Sequence, residues 1–299
     1  MKRRNFIQRA IALSGAAALP SISNASTNRL KPTLTIAHIT DVHIRSKEDI
    51  PERAKRYLLE ALSNKDIDFI LNGGDSIFDA SYDDVTREMV TEQWAIWDNF
   101  IGSTRLEVFS CIGNHDPWWK APSDQDGMYG VAYAAKRLKM PHRYYSFTRN
   151  GWHFFILDGN NKGTRLDGEQ MEWLKDSLGK LATNSPVLMM SHYPILSSTC
   201  AWSGGQHGDY KELKELFYKH KDKVKVCLSG HQHLRDSVVY NGTSYFCNGS
   251  LSGFWWGKGD KESAGPYYYQ ETPPGYAILE LFADGTVRNK YVALENELY

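Results

Sequence analysis

The chain has 299 residues, 35 Lys and Arg against 35 Asp and Glu, a formal net charge of zero and a hydrophobic fraction of 41%. That fraction excludes a mostly disordered chain, and the length suits one large or two small domains. Neutrality removes the basic footprint of a general nucleic-acid binder, and beyond residue 25 no apolar run approaches the roughly 20 residues of a membrane span.

The first 25 residues stand apart. They hold Lys2, Arg3, Arg4 and Arg9 without an acidic residue, then the apolar run 10–19, then Ser23, Asn24 and Ala25. Charged, apolar and small residues in that order predict an export signal, too short to span a bilayer. The pair Arg3-Arg4 before Asn5-Phe6-Ile7 resembles a bacterial twin-arginine signal, with an ordinary secretory signal as the other reading. The expectation is a leader over 1–25, a polar tether over 26–32 and a single domain over 33–299. Such a protein would use the twin-arginine machinery, be periplasmic or otherwise exported, and have no stable membrane anchor. Without the leader the chain carries 31 basic and 35 acidic residues, a net of −4.

Short apolar runs then alternate with amphipathic stretches. A β-branched strand is predicted over 33–40, a helix over 51–63, and a second strand over 68–71. A longer helix over 83–101 is expected to stop at Gly102, before a third strand over 106–112. Strands at 144–147 and 152–157 flank Asn150-Gly151, a hairpin signal. A helix over 168–181, a buried strand over 187–190, a helix capped by Asp209 and a strand over 224–228 follow. Two further hairpins turn at Asn241-Gly242 and Asp284-Gly285. Loops at 120–130, 197–208 and 257–275 are long enough to suggest function. The order predicts one α/β domain with mixed sheets covered by helices. Cys111, Cys200, Cys227 and Cys247 show no C-x-x-C spacing, and export would permit a disulfide among them.

Five of the apolar runs end abruptly in polar residues. They lead into Asp41-Val42-His43, Gly74-Asp75, Gly113-Asn114-His115-Asp116, Ser191-His192 and Gly230-His231-Gln232-His233. Strands of an α/β sheet gather their carboxyl ends on one edge, so these side chains converge. Carboxylate, amide and imidazole groups without thiolate suit Mn, Fe or Zn. Seven such ligands exceed one tetrahedral site, whereas sharing one carboxylate would hold two divalent ions.

The ordered set Asp41-x-His43, Gly74-Asp75, Gly113-Asn114-His115-Asp116, His192 and Gly230-His231-x-His233 resembles the signature of the calcineurin-like metallophosphoesterases. The resemblance implies a four-layer α/β/β/α sandwich of two mixed sheets flanked by helices. It implies that Asp41, His43 and His233 bind one metal, that Asn114, His192 and His231 bind the other, and that Asp75 bridges them. His115 would sit beside the leaving group with Asp116 orienting its imidazole. Purple acid phosphatases, a subgroup, carry Gly and Tyr where this chain has His43 and Phe78, which disfavours that subgroup.

The expected reaction is hydrolysis of a small organic phosphate ester, by in-line attack of a metal-bridging hydroxide with His115 as acid. A phosphodiesterase is the first reading and a broad phosphomonoesterase the alternative. A non-catalytic metal- or phosphate-binding protein is the rival from another class. Nucleic acid is not expected as a partner. Trp118, Trp119, Trp202, Trp255 and Trp256 follow the third, fourth and fifth motifs and are candidate substrate contacts, as is His207, with core packing as the bland alternative. His38 is expected to be a hydrogen-bonded core residue.

Overall fold

The computed structural model describes residues 31–45, 56, 58, 59, 62, 66–78, 80–252 and 272–294. The expected leader, most of the tether, most of the 51–63 helix, Trp255, Trp256 and most of the 257–275 loop lie outside these residues, as does the side chain of Trp202.

The strands are β1 (Leu34–Ile39), β2 (Phe69–Asn72), β3 (Val108–Ser110), β4 (Tyr145–Arg149), β5 (Trp152–Ile156), β6 (Val187–Met190), β7 (Val224–Ser229), β8 (Arg235–Tyr240), β9 (Thr243–Asn248), β10 (Gly275–Leu281) and β11 (Val287–Ala293). The helices are α1 (Arg87–Ser103), α2 (Gly130–Arg137), α3 (Gly168–Lys180), α4 (Cys200–Ser203) and α5 (Tyr210–Lys219). One sheet has the order β11-β10-β1-β2-β3 and the other β4-β5-β6-β7-β9-β8. Within them β1, β2 and β3 run parallel, as do β5, β6, β7 and β9, while β10, β11, β4 and β8 pair antiparallel.

Period-two alternation divides each inner strand between two cores. Leu34, Ile36, Phe69 and Leu71 of one sheet meet Phe154, Ile156, Leu188, Met190, Val226 and Leu228 of the other. The opposite faces carry Ala37, Ile39 and Ile70 against Trp94, Trp97 and Phe100 of α1, and Phe155, Val187 and Met189 against Leu174, Leu178, Leu213 and Phe217 of α3 and α5. The four layers expected from the resemblance follow. Leu58 and Leu62, on the apolar face expected for the 51–63 helix, are buried in the α1-side core. His38 is buried too, with its Nδ1 3.0 Å from Asn248 Nδ2.

The tight turns follow their sequence signals: Asn150 and Gly151 have φ 46 and 83, and Asn241 and Gly242 have φ 52 and 81. These left-handed pairs match the twist of the flanking strands. Other local expectations shift. Helix α1 starts at Arg87 because Thr86 caps it, its hydroxyl accepting from Met89 N–H, and it runs through Gly102 to Ser103. The left-handed residue beyond it is Arg105, φ 56. Helices α2 and α4 lie where only loops or no element had been expected. Asp209 stands at the N-cap of α5 without capping it; its carboxylate accepts from Leu166 N–H at 2.9 Å and faces His207 Nδ1 at 3.0 Å. All four cysteines are buried and free. Among the described residues no helix is long and apolar enough to cross a membrane.

Phe154 is fully buried between the sheets, 4.7 Å from the Phe147 ring and 5.5 Å from Phe69. Phe154→Ala should therefore cost about 3–5 kcal/mol. Urea unfolding should show this as a lower midpoint at unchanged slope; a loss below about 1 kcal/mol would mean that the sheets close over the gap.

Candidate metal centre

The parallel strands of both sheets deliver their carboxyl ends to one rim. Asp41 and His43 leave β1, Asp75 leaves β2, and Asn114, His115 and Asp116 leave β3. From the other sheet, His192 follows β6, and His231 and His233 follow β7. One ligand atom from each of Asp41, His43, Asp75 and His233 falls within 4.8 Å of the others, and Asp75, His192 and His231 form a second such group. Asp75 belongs to both. Asn114 joins the second group, its Oδ1 lying 3.0 Å from His192 Nε2 and 2.9 Å from His231 Nδ1.

The Asp75 carboxylate is divided between these neighbours. Its Oδ1 accepts the His115 backbone N–H at 2.8 Å, while Oδ2 lies 3.1 Å from His192 Nε2 and 3.7 Å from His43 Nε2. Asp41 Oδ2 accepts the Thr40 hydroxyl at 2.6 Å, and Oδ1 lies 3.2 Å from His233 Nε2. The Nε2 atoms of His43 and His233 stand 3.1 Å apart. Asp41, His43, Asp75, His192 and His233 are buried, and Asn114 and His231 partly so. Carboxylate, amide and imidazole groups crowded at these distances fit a divalent ion, and the oxygen and imidazole donor set suits Mn, Fe or Zn.

Further contacts set the tautomers. Nδ1 of His192 lies 2.9 Å from the Gly73 carbonyl and Nδ1 of His43 lies 3.3 Å from the Phe78 carbonyl. A carbonyl only accepts, so these Nδ1 atoms carry hydrogen and each Nε2 faces the centre. Burial lowers the pKa of His43 to about 3 and that of His231 to about 4, so both imidazoles are neutral at neutral pH. Burial alone would lower His192 as well, but the Asp75 charge and hydrogen bond raise it to about 9. Burial likewise opposes ionisation of Asp75, and the His192, His115 and His43 imidazoles outweigh it, holding the carboxyl well below its usual range.

The backbone is unusual at these positions. Asp41, His43, Asp75, His231 and His233 all have positive φ, between 47 and 67. Non-glycine residues rarely occupy that region, and functional sites are where such strain collects. Two glycines allow the close approach: a Cβ on Gly113 would fall 2.0 Å from Asp75 Oδ1, and one on Gly230 would fall 2.3 Å from Asp41 Oδ2.

Asp116 does something other than the expected orientation of His115. Its Oδ1 accepts N–H groups of Ser76 at 2.8 Å and Ile77 at 3.3 Å; its Oδ2 accepts those of Gly113 at 2.8 Å and Asp75 at 3.0 Å. The carboxylate thus fastens the turn that presents Asp75 to the turn after β3. The other expected contacts divide. Trp118 is 3% exposed, turned into the α1-side core beneath the Arg87 guanidinium, and is no substrate contact. Its backbone bridge to Gly130 leaves the next residue, Trp119, 40% exposed beside Tyr129. His207 is 0% exposed, its Nε2 2.7 Å from Ser191 Oγ and its Nδ1 3.0 Å from Asp209 Oδ1. It ties the loop after β6 to α5 and has no surface to offer a ligand. Sequence reasoning missed Thr40, which orients Asp41, and Tyr193, whose ring packs 4.7 Å from His231 and 5.3 Å from His192. Neither carries a motif signal beyond its place next to a ligand.

A sequence model of the calcineurin-like phosphoesterases matches residues 34–235, more than half of the chain. The chain is similar to a 3′,5′-cyclic-nucleotide phosphodiesterase of Nostoc sp. (strain PCC 7120), 25% identical over 87% of this chain and 92% of that one. It is also similar to the 3′,5′-cyclic adenosine monophosphate phosphodiesterase CpdA of Escherichia coli (strain K12), 26% identical over 68% of this chain and 70% of that one. Among solved structures, a dimetal phosphatase from Danio rerio superposes with a TM-score of 0.61 at 14% identity, covering 87% of this chain and 96% of the other. An inner membrane complex anchor of Plasmodium, GAP50, has a TM-score of 0.56 at 16% identity, covering 89% of this chain and 87% of its own. At such identities the superpositions speak for the fold alone.

Asp75→Ala and Asp116→Ala should both deplete bound metal, although of the two only Asp75 would offer a ligand atom. Asp116→Ala should in addition lower stability by at least about 2 kcal/mol, since it strands several buried N–H groups. Elemental analysis of the purified proteins and denaturant titration read the two effects. Full metal content in Asp116→Ala would contradict the fastening role.

Proposed function

The chain belongs to the calcineurin-like phosphoesterase family, and on that premise we propose that it is a phosphodiesterase of small cyclic nucleotides. Metal-dependent phosphoester hydrolysis comes with the family and its phosphodiesterase relatives; the choice of cyclic nucleotides rests on the names of the Nostoc and Escherichia coli relatives. The observation that carries the reading is the Asp75 carboxylate shared by two converging ligand groups, with His115 alongside. Fold likeness alone would not suffice, because one fold hosts many functions.

Asp41, His43, Asp75 and His233 would hold one ion and Asp75, Asn114, His192 and His231 the other, with Mn, Fe or Zn as the candidates. When bound, such ions supply Lewis-acid charge to phosphoryl oxygens and lower the pKa of water. The protein's own groups do the rest. The Gly73 and Phe78 carbonyls keep the His192 and His43 rings in ligating orientation. The His115 ring lies 5.0 Å from that of His43, and its backbone is tied to Asp75, which supports a place for the imidazole beside a bound ester. From there it donates a proton to the departing alkoxide. We assign residues 1–25 to a twin-arginine export leader that delivers the enzyme outside the cytoplasm, supported by Arg3-Arg4 and the short apolar run after them.

His115→Ala should keep its metal and lose about 10²–10⁴ in kcat/KM on 3′,5′-cyclic AMP. The loss should be much smaller on bis-p-nitrophenyl phosphate, whose leaving group needs no proton. Equal losses on both would remove His115 as the acid. Faster turnover of p-nitrophenyl phosphate than of any diester would favour the phosphomonoesterase, and a metal-loaded protein inert to every ester would favour the non-catalytic binder. For the leader, replacing Arg3 and Arg4 with Lys should retain the protein in the cytoplasm on fractionation. Unchanged export would point to the ordinary secretory route.

A further inference from the structure

Beside the metal centre four rings make a closed set of edge contacts. Centroids are separated by 5.0 Å for His43 and His115, 6.2 Å for His43 and Phe78, 6.2 Å for Phe78 and Tyr82, and 6.0 Å for Tyr82 and His115. The set runs from the interior to solvent: His43 is 1% exposed, and Tyr82 is 46% exposed. The pairing that builds the centre also builds this wall, since Ile44 bridges Ile77 and the Phe78 N–H donates to the Ile44 carbonyl at 2.7 Å. Arg45 closes it from outside, its guanidinium 3.8 Å from the centre of the Phe78 ring.

Tyr82 is held beside the proposed acid, its ring 6.0 Å from that of His115. The Ala80 N–H donates to the His115 carbonyl at 2.9 Å, coupling the 80–85 loop to the proposed acid. Asp83 pairs with Lys120 at 2.7 Å, coupling the same loop to the one that carries Trp119. The Tyr82 ring meets Phe78 and His115 in edge-type contacts, at 64° and 83°, and the residue is 46% exposed. An ester whose leaving group met His115 would come within reach of the Tyr82 ring, 6.0 Å from the imidazole. A planar base there would find an aromatic surface, and any nucleobase can stack on one.

We infer that Tyr82 is a specificity-determining residue that stacks on the nucleobase of the substrate, with Phe78 and Arg45 as its support. The inference rests on the cyclic-nucleotide reading and adds the contact that distinguishes a nucleotide from a bare sugar phosphate.

The test is equilibrium binding of AMP and of ribose 5-phosphate to the metal-loaded protein by calorimetry, in wild type, Tyr82→Phe and Tyr82→Ala. Wild type should prefer AMP by at least about fivefold, the lower end of stacking on one aromatic side chain. Tyr82→Phe should keep the preference and Tyr82→Ala abolish it, with ribose 5-phosphate binding alike in all three. No preference in wild type, a preference that survives in Tyr82→Ala, or equal weakening of both ligands would each overturn the assignment. Turnover of 3′,5′-cyclic AMP is measured alongside. Its absence with the AMP preference intact would remove the phosphodiesterase reading and leave Tyr82 as a base platform.

Discussion

The Asp75 carboxylate has to face two ways, one oxygen toward a backbone N–H of the β3 turn and the other toward imidazoles from both sheets. Few backbone paths allow this. The chain leaves β2 through Gly74 at φ 93 and Asp75 at φ 52, so the side chain swings across the strand ends instead of along them. Asp116 stabilises that path by collecting N–H groups from both turns that no strand partner satisfies. A carboxylate that binds backbone N–H groups thereby governs one that belongs to both ligand groups.

The same geometry recurs at the ends of β1 and β7, where Asp41, His43, His231 and His233 also adopt left-handed backbone. Each such residue costs roughly 1–2 kcal/mol relative to an ordinary conformation. Burial of the imidazoles and carboxylates adds to the cost, which the His192–Asp75 pair offsets in part. The apolar layers on both faces of each sheet offset it, and a bound cation would convert the remaining electrostatic strain into affinity. A rigid scaffold and a strained rim are two aspects of one arrangement.

Much of this was legible in the sequence. Inner strands read as apolar runs, and the change from Ile39, Leu71, Ile112, Met190 and Leu228 to Asp, His and Asn marked the rim. Asn-Gly pairs marked the hairpins because a left-handed turn has few other occupants. What escaped depends on where a side chain points after the chain has turned. Asp116 sits among ligands in sequence, yet its direction is set by the N–H groups of a different strand turn. Trp118 and Trp119 are neighbours with opposite fates, since a single backbone bridge sends one inward and the other out. His207 looked available in a glycine-rich loop, and only the fold brings Ser191 and Asp209 to its two nitrogens. Tyr82 stood in no motif; its meaning comes from the ring beside it.

Each ligand group is drawn from both sheets. Asp41, His43 and Asp75 of the five-stranded sheet meet His233 of the other, and Asp75 and Asn114 meet His192 and His231. The centre therefore lies across a seam, and its dimensions are those of the gap the inter-sheet side chains keep open. The sheets act like the jaws of a gauge, with Phe154, Leu188 and Ile36 as the spacer. A methylene added to or removed from that spacer would alter the spacing of the ligand groups across the seam, although it touches none of them.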